Sequence, residues 1–203
     1  MRFMPLALIM TFTLLTGCAS LPGGDKHQQT FQLLPPELSR SPDDRLQADL
    51  TITRMTSRPG YDSSAIAYRQ SDFELRYFAE NRWADRPTRM LHPALTATLD
   101  GLGPFRYVVS SQSGISTRYR LDVELIRLEQ DFQQQPSRVH LAIQVRLLDE
   151  QSREIRLDRA LAVTETAPSD DPQGGVIAAN NALEKLLHEL SALLRKTLAD
   201  LDE

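Results

Sequence analysis

Two runs of strict alternation restrict what this chain can fold into more than any other feature. In the first, Tyr119, Leu121, Val123 and Leu125 alternate with Arg120, Asp122 and Glu124. In the second, Val139, Leu141, Ile143, Val145 and Leu147 alternate with His140, Ala142, Gln144 and Arg146. Successive side chains of a strand point to opposite faces, so each run predicts a strand with one covered and one wet face. Residues 133–137, Gln-Gln-Gln-Pro-Ser, form a loop between them that suits a hairpin. A further strand over 154–166 follows a turn at 149–152. Clean alternation of this kind belongs to antiparallel sheet with one covered face.

The rest of the chain fits around that sheet. Leu46, Ala48, Leu50 and Ile52 predict a strand over 46–53, and Pro59-Gly60 a turn. Ile66 and Tyr68, then Phe73, Leu75 and Tyr77, predict two short strands around the polar residues 69–72. Leu91, Leu95, Leu99 and Leu102 share a helical face. Pro93 fits only a first turn, so the helix is expected to start near Leu91 and to stop at Gly103-Pro104. A short strand follows over 106–110, and Phe31-Gln32-Leu33 reads as a brief edge strand stopped by Pro35-Pro36. The chain closes on a long helix over about 175–201, striped with Leu183, Leu186, Leu187, Leu190, Leu193, Leu194, Leu198 and Leu201. A coiled coil is the competing reading of that stripe. The expected class is α+β: a mainly antiparallel sheet with two helices packed on one face.

The N-terminal segment sets the compartment. Arg2 precedes an apolar run over 3–15, too short to cross a hydrocarbon core that needs roughly 20 residues. Its length fits the apolar region of a secretory signal. The run ends in Leu15-Thr16-Gly17-Cys18, with the only cysteine of the chain. That resembles a bacterial lipobox, in which the cysteine takes a diacylglycerol thioether and becomes the first mature residue. A plain signal peptide with a chance cysteine, or an uncleaved anchor, is the bland alternative. Ala19 and Ser20 follow with no aspartate, the pattern of lipoproteins sorted to the outer membrane, periplasmic face. The expected organisation is a signal peptide over 1–17, a lipidated flexible tether over 18–30, and one domain over 31–203. A net charge of −4 and a pI near 5.6 argue against a nucleic-acid partner.

No stretch carries recognisable catalysis. His27, His92, His140 and His188 are far apart, with no metal-binding spacing, and no phosphate loop, zinc-protease or serine-elbow motif occurs. Asp43-Asp44 and Asp170-Asp171 read as solvated turns. No catalytic residue, metal or cofactor is expected beyond the lipid on Cys18, although a hydrolase with a dispersed site stays open. The most distinctive internal stretch is residues 77–87, with the sole tryptophan. Tyr77, Arg82, Trp83 and Pro87 are its candidate residues. One reading has Trp83 sealing the sheet against the next helix; the other makes it an aromatic anchor for a partner protein.

This stretch also carries a family resemblance. Phe31-Gln32-Leu33-Leu34-Pro35 after a lipobox, Ile66-Ala67-Tyr68-Arg69, Phe73-Glu74-Leu75-Arg76-Tyr77, Asn81-Arg82-Trp83-Ala84 with Pro87, and Gly103-Pro104-Phe105 leading into Val108 resemble the ABC-type transport auxiliary lipoproteins, the PqiC-like family. Phe78 departs from the tyrosine common at that position. The resemblance implies a non-enzymatic outer-membrane lipoprotein that works with MCE-domain tunnel proteins. Such systems move lipids or other hydrophobic molecules between membranes, sometimes powered by an ABC transporter. It also implies a homo-oligomer. The alternative is an adaptor or activator lipoprotein of another envelope machine, for lipopolysaccharide export or cell-wall synthesis.

Overall fold

The computed structural model describes residues 28–36 and 48–201. Cys18, His27 and Asp43-Asp44 lie outside the described residues. Among the described residues, nine strands and two α-helices follow in the order β1 (Gln29–Phe31), β2 (Leu50–Ile52), β3 (Thr56–Ser57), β4 (Ala65–Ser71), β5 (Glu74–Trp83), α1 (Pro87–Leu102), β6 (Val108–Ser110), β7 (Tyr119–Asp131), β8 (Arg138–Asp149), β9 (Glu154–Thr166) and α2 (Pro172–Ala199).

The class is α+β, but the sheet is mixed. β7, β8 and β9 form the expected antiparallel meander, and β4 pairs antiparallel with β5. The other five pairings are parallel: β1 with β5, β2 with β6, and β2, β3 and β4 each with β7. The expectation of a mainly antiparallel sheet is therefore corrected. Alternation reports that one face is covered and says nothing of direction. Parallel neighbours need a long crossover, and the chain supplies it: β3 to β6 with α1 intervene between β2 and β7.

β7 organises the sheet. One of its edges is paired along its length by β8. The other is shared by three short strands: β2 beside residues 119–121, β3 beside 124–125 and β4 beside 129–131. A bulge between Leu125 and Arg127 leaves Ile126 unmatched, so the core-facing set changes from Leu121, Val123 and Leu125 to Leu128 and Gln130.

Both helices pack into one core with this sheet. Leu91, Leu95 and Leu99 of α1 join Leu183, Leu186, Leu187, Leu190, Leu194 and Leu198 of α2 against Leu121, Leu125, Leu141 and Val145. Each such leucine contributes about 1.5–3 kcal/mol by leaving water. The leucine stripe of α2 thus packs on the sheet and α1, and Ser191 fixes the two helices together by donating to the Leu102 carbonyl at 2.9 Å.

Both helices start earlier than the sequence suggests, each with a proline in its first turn. α1 begins at Pro87, which leaves Pro93 inside the helix rather than at its start. The N–H that Pro93 lacks would have bonded the Arg89 carbonyl, and this side of α1 lines an open cleft where water can take that carbonyl. α2 is capped by Asp171, whose carboxylate accepts from the Gly174 N–H at 2.7 Å. That bond, then one from Ser169, lowers the Asp171 pKa. Asp170 accepts from the Ser137 N–H at 2.6 Å, so this acidic pair works as a cap and a clasp. A side chain at Gly175 would run into the Gln130 amide, which is why the helix can approach β7 so closely there. Phe73 also differs from expectation: it is not a strand residue but sits in the two-residue turn between β4 and β5.

Candidate functional site

The stretch 77–87 runs from the middle of β5 into the first turn of α1. Its candidate residues part company. Trp83 ends β5, is 3% exposed and belongs to the core; its N–H donates to the Ser64 carbonyl at 2.8 Å. Pro87 is buried in the first turn of α1. Tyr77 is 44% exposed, and its hydroxyl donates to the Gly60 carbonyl at 3.1 Å. Arg82 is exposed and donates to the Gln28 side-chain carbonyl at 2.8 Å and to the Ser64 hydroxyl at 3.3 Å.

These contacts fasten the N-terminal strand. Asn81 donates to the Gln29 side chain at 3.1 Å, and the Ala84 N–H to the Phe31 carbonyl at 2.7 Å. From the other side, Asn180 of α2 accepts from the Leu34 N–H at 2.8 Å and donates to the Gln32 carbonyl at 3.2 Å. The strand starts at Gln29, two residues ahead of its expected place, and both sheet and helix hold the segment that follows the tether.

Just past Trp83, a cleft of about 1220 Å³ opens between α1, the β2–β3 link and β6. Arg54, Arg86, Arg89 and His92 line it together with Asp62 and Asp100. Arg89 also pairs with Asp85 at 3.3 Å on the surface. The lining mixes these charged groups with Met55, Pro93, Ala97 and Val108.

A second cluster lies on the opposite face of the sheet, where the bulge has turned Arg127, Glu129 and Asp131 outward. Glu129 is 2% exposed. Arg127 donates to it from Nε at 2.8 Å, Arg69 Nε lies 2.7 Å away, and the Tyr61 hydroxyl closes over the carboxylate in a short hydrogen bond. Burial first, then the Glu129 carboxylate, raises the Tyr61 pKa and keeps the phenol protonated. His140 sits beside the cluster, with Nδ1 2.9 Å from the Thr164 hydroxyl and Nε2 3.5 Å from Asp131. Burial and the neighbouring Arg127 charge lower its pKa. The sequence marks His92 and His140 only as scattered histidines and does not mark Tyr61, Arg127 or Glu129. The available signal was the polar positions 127, 129 and 131, which fall out of step with 120, 122 and 124. His188 lies exposed on α2. Among the described residues, no group of three His, Cys, Asp or Glu has metal-holding geometry.

The family model of the ABC-type transport auxiliary lipoprotein component matches residues 31–191. The chain belongs to that family. The matched span begins at Phe31, the last residue of β1, and ends in α2, so it takes in the cleft and the Glu129 cluster alike. This auxiliary lipoprotein shares its fold with protein XCC0632 from Xanthomonas campestris: TM-score 0.76 at 20% identity, covering 85% of this chain and 97% of that one. It is also similar to the hypothetical protein CT253 from Chlamydia trachomatis, with a TM-score of 0.50 at 6% identity over 74% of this chain and 96% of that one. No protein of curated function matches it in sequence. Among the described residues, no helix is long and apolar enough to cross a membrane.

Proposed function

We propose that this auxiliary lipoprotein is a non-enzymatic part of an intermembrane lipid transport system, held on the periplasmic face of the outer membrane by the lipid on Cys18. Its folded body docks with an MCE-domain tunnel protein, within a system that an ABC transporter can power, and does so as a homo-oligomer. Family membership across residues 31–191 carries this reading, and the lipobox at Leu15-Thr16-Gly17-Cys18 supports the anchor. Acyl chains stabilise membrane attachment by about 0.8 kcal/mol per buried CH₂, and two or more chains make it stable.

Two measurements test the proposal. Cys18→Ser should abolish fatty-acid labelling and leave an unprocessed precursor in the inner membrane; normal labelling and processing would refute the anchor. Gentle cross-linking of cells followed by purification should recover an MCE-domain protein. A monomer with no such partner, together with unchanged envelope permeability on deletion, would refute the transport role.

A further inference from the structure

The β4–β5 hairpin ends in the two-residue turn Asp72-Phe73, with Ser71 paired to Glu74. Phe73 is fully exposed there, at 102%. The hairpin outruns the sheet. Its last pairing with β7 joins Arg69 to Asp131, and Phe73 lies four residues, roughly 13 Å, farther on. Aromatic packing stiffens the base: Tyr68 stacks on Phe78 at 4.5 Å, and Phe132 meets both edge-on at 5.9 and 6.2 Å. Nearby charges are largely matched. Arg76 lies 2.8 Å from Glu74 and Arg69 lies 2.7 Å from Glu129. The tip therefore presents a bare aromatic ring beside the exposed carboxylate of Asp72, without a cationic excess.

Chain direction says what that ring faces. β1 runs parallel to β5, so the chain followed backwards from Gln29 heads along β5 towards the hairpin tip. Gln29 lies opposite Asn81, about eight strand residues and at most about 26 Å short of Phe73. About ten residues separate Gln28 from Cys18, a reach of at most roughly 33–36 Å. Counted from Gln29, a fully extended tether leaving in this direction passes the tip by about 10–14 Å. The other end of the sheet carries exposed Ile115 and Ile155. By strand register Ile155 lies about 23–26 Å back from Gln29, so the tether would have to reverse its direction to put that end on the membrane.

We propose that the β4–β5 tip is a membrane-contact point, and that its partner is the phospholipid surface in which the Cys18 lipid sits. This rests on the lipidated-Cys18 reading above and adds an orientation to it: hairpin down, with the Ile115 and Ile155 end facing away. One phenylalanine cannot hold a domain on a bilayer. The acyl chains do that, and the short tether keeps the tip at high effective concentration beside the interface. A single apolar ring then biases orientation by entering the boundary between headgroups and acyl chains.

The lipidated full chain offers a clean test, because its only native cysteine is blocked by the thioether. Ser71→Cys, Ile115→Cys and Ile155→Cys each add one labelling site for an environment-sensitive fluorophore. The proteins are reconstituted in vesicles of phosphatidylethanolamine and phosphatidylglycerol. The probe at 71 should shift to the blue and be quenched by nitroxide-bearing lipids, while those at 115 and 155 keep their aqueous spectra. Adding Phe73→Ser to Ser71→Cys should remove the shift and leave flotation with the vesicles unchanged. An aqueous spectrum at 71 in protein that floats, or a shift that survives Phe73→Ser, overturns the contact. Failure to float at all would instead overturn the lipid anchor on which it rests.

Discussion

Along one edge of β7 a single long partner runs the length of the strand; along the other, three short strands take successive segments. The first edge continues into β8 and β9 through tight local connections, and its inner face is a regular ladder of Val139, Leu141, Ile143, Val145 and Leu147. The second is assembled by crossovers, and seams remain where one short strand stops and the next begins. The functional candidates lie on that second side. The cleft opens at the β2–β3 link, Tyr61 folds over Glu129 between β3 and β4, and the hairpin tip and N-terminal strand project from β4, β5 and β1. The continuous side supplies rigidity, and the segmented side supplies shape.

The comparison breaks if the two sides respond alike to damage. Trp83→Ala should have the largest effect, about 3–5 kcal/mol in urea unfolding, because it empties a core site between β5 and α1. Hydrogen exchange should then open β1, β4 and β5 before β8 and β9; uniform loss of protection would show one indivisible unit. Glu129→Gln should cost about 2 kcal/mol, because Arg69 loses its carboxylate partner and Arg127 keeps only Asp131, 3.9 Å away, while both guanidinium groups stay partly in water. The same measurement should place the first opening at Tyr61 and β4. Asp171→Ala removes the cap of α2 and should cost about 1 kcal/mol, with no preference for the segmented side.

The smallest effect is one of pH, on the continuous side. Burial pushes the Asp149 pKa up, but the N–H groups of Ser152 and Gln151 and the Arg118 guanidinium outweigh it, so the value falls below its ordinary 3.8. Its stabilisation is complete above that ordinary value and is lost as pH falls through the lowered one. Thermal melts of Asp149→Asn should therefore show a shallower loss of stability than the parent below about pH 4. An unchanged slope would remove this carboxylate from the account.

The long strands and both helices were legible because their periodicity is local: Tyr119 to Leu125 and the leucines of α2 each announce a buried face. The direction of the short strands was not legible. Leu50 and Ile52 alternate in the same way whether β7 runs beside them or against them. The helix starts were misplaced because proline at a first turn and proline within a helix give the same letter, and only packing told Pro87 from Pro93. Of the candidate residues, Trp83 and Pro87 proved buried and Tyr77 and Arg82 exposed, a division that a stretch of mixed aromatic and charged residues does not encode.

The sequence by itself determined the family resemblance, the lipobox and the alternating strands, because each is written in neighbouring residues. Only the tertiary structure decided that β7 carries three parallel partners, that Glu129 lies buried among arginines, and that the chain entering at Gln29 points back along β5 towards Phe73. Each of these joins residues distant in sequence. Such contacts are set by how the chain closes on itself, and no local pattern records that.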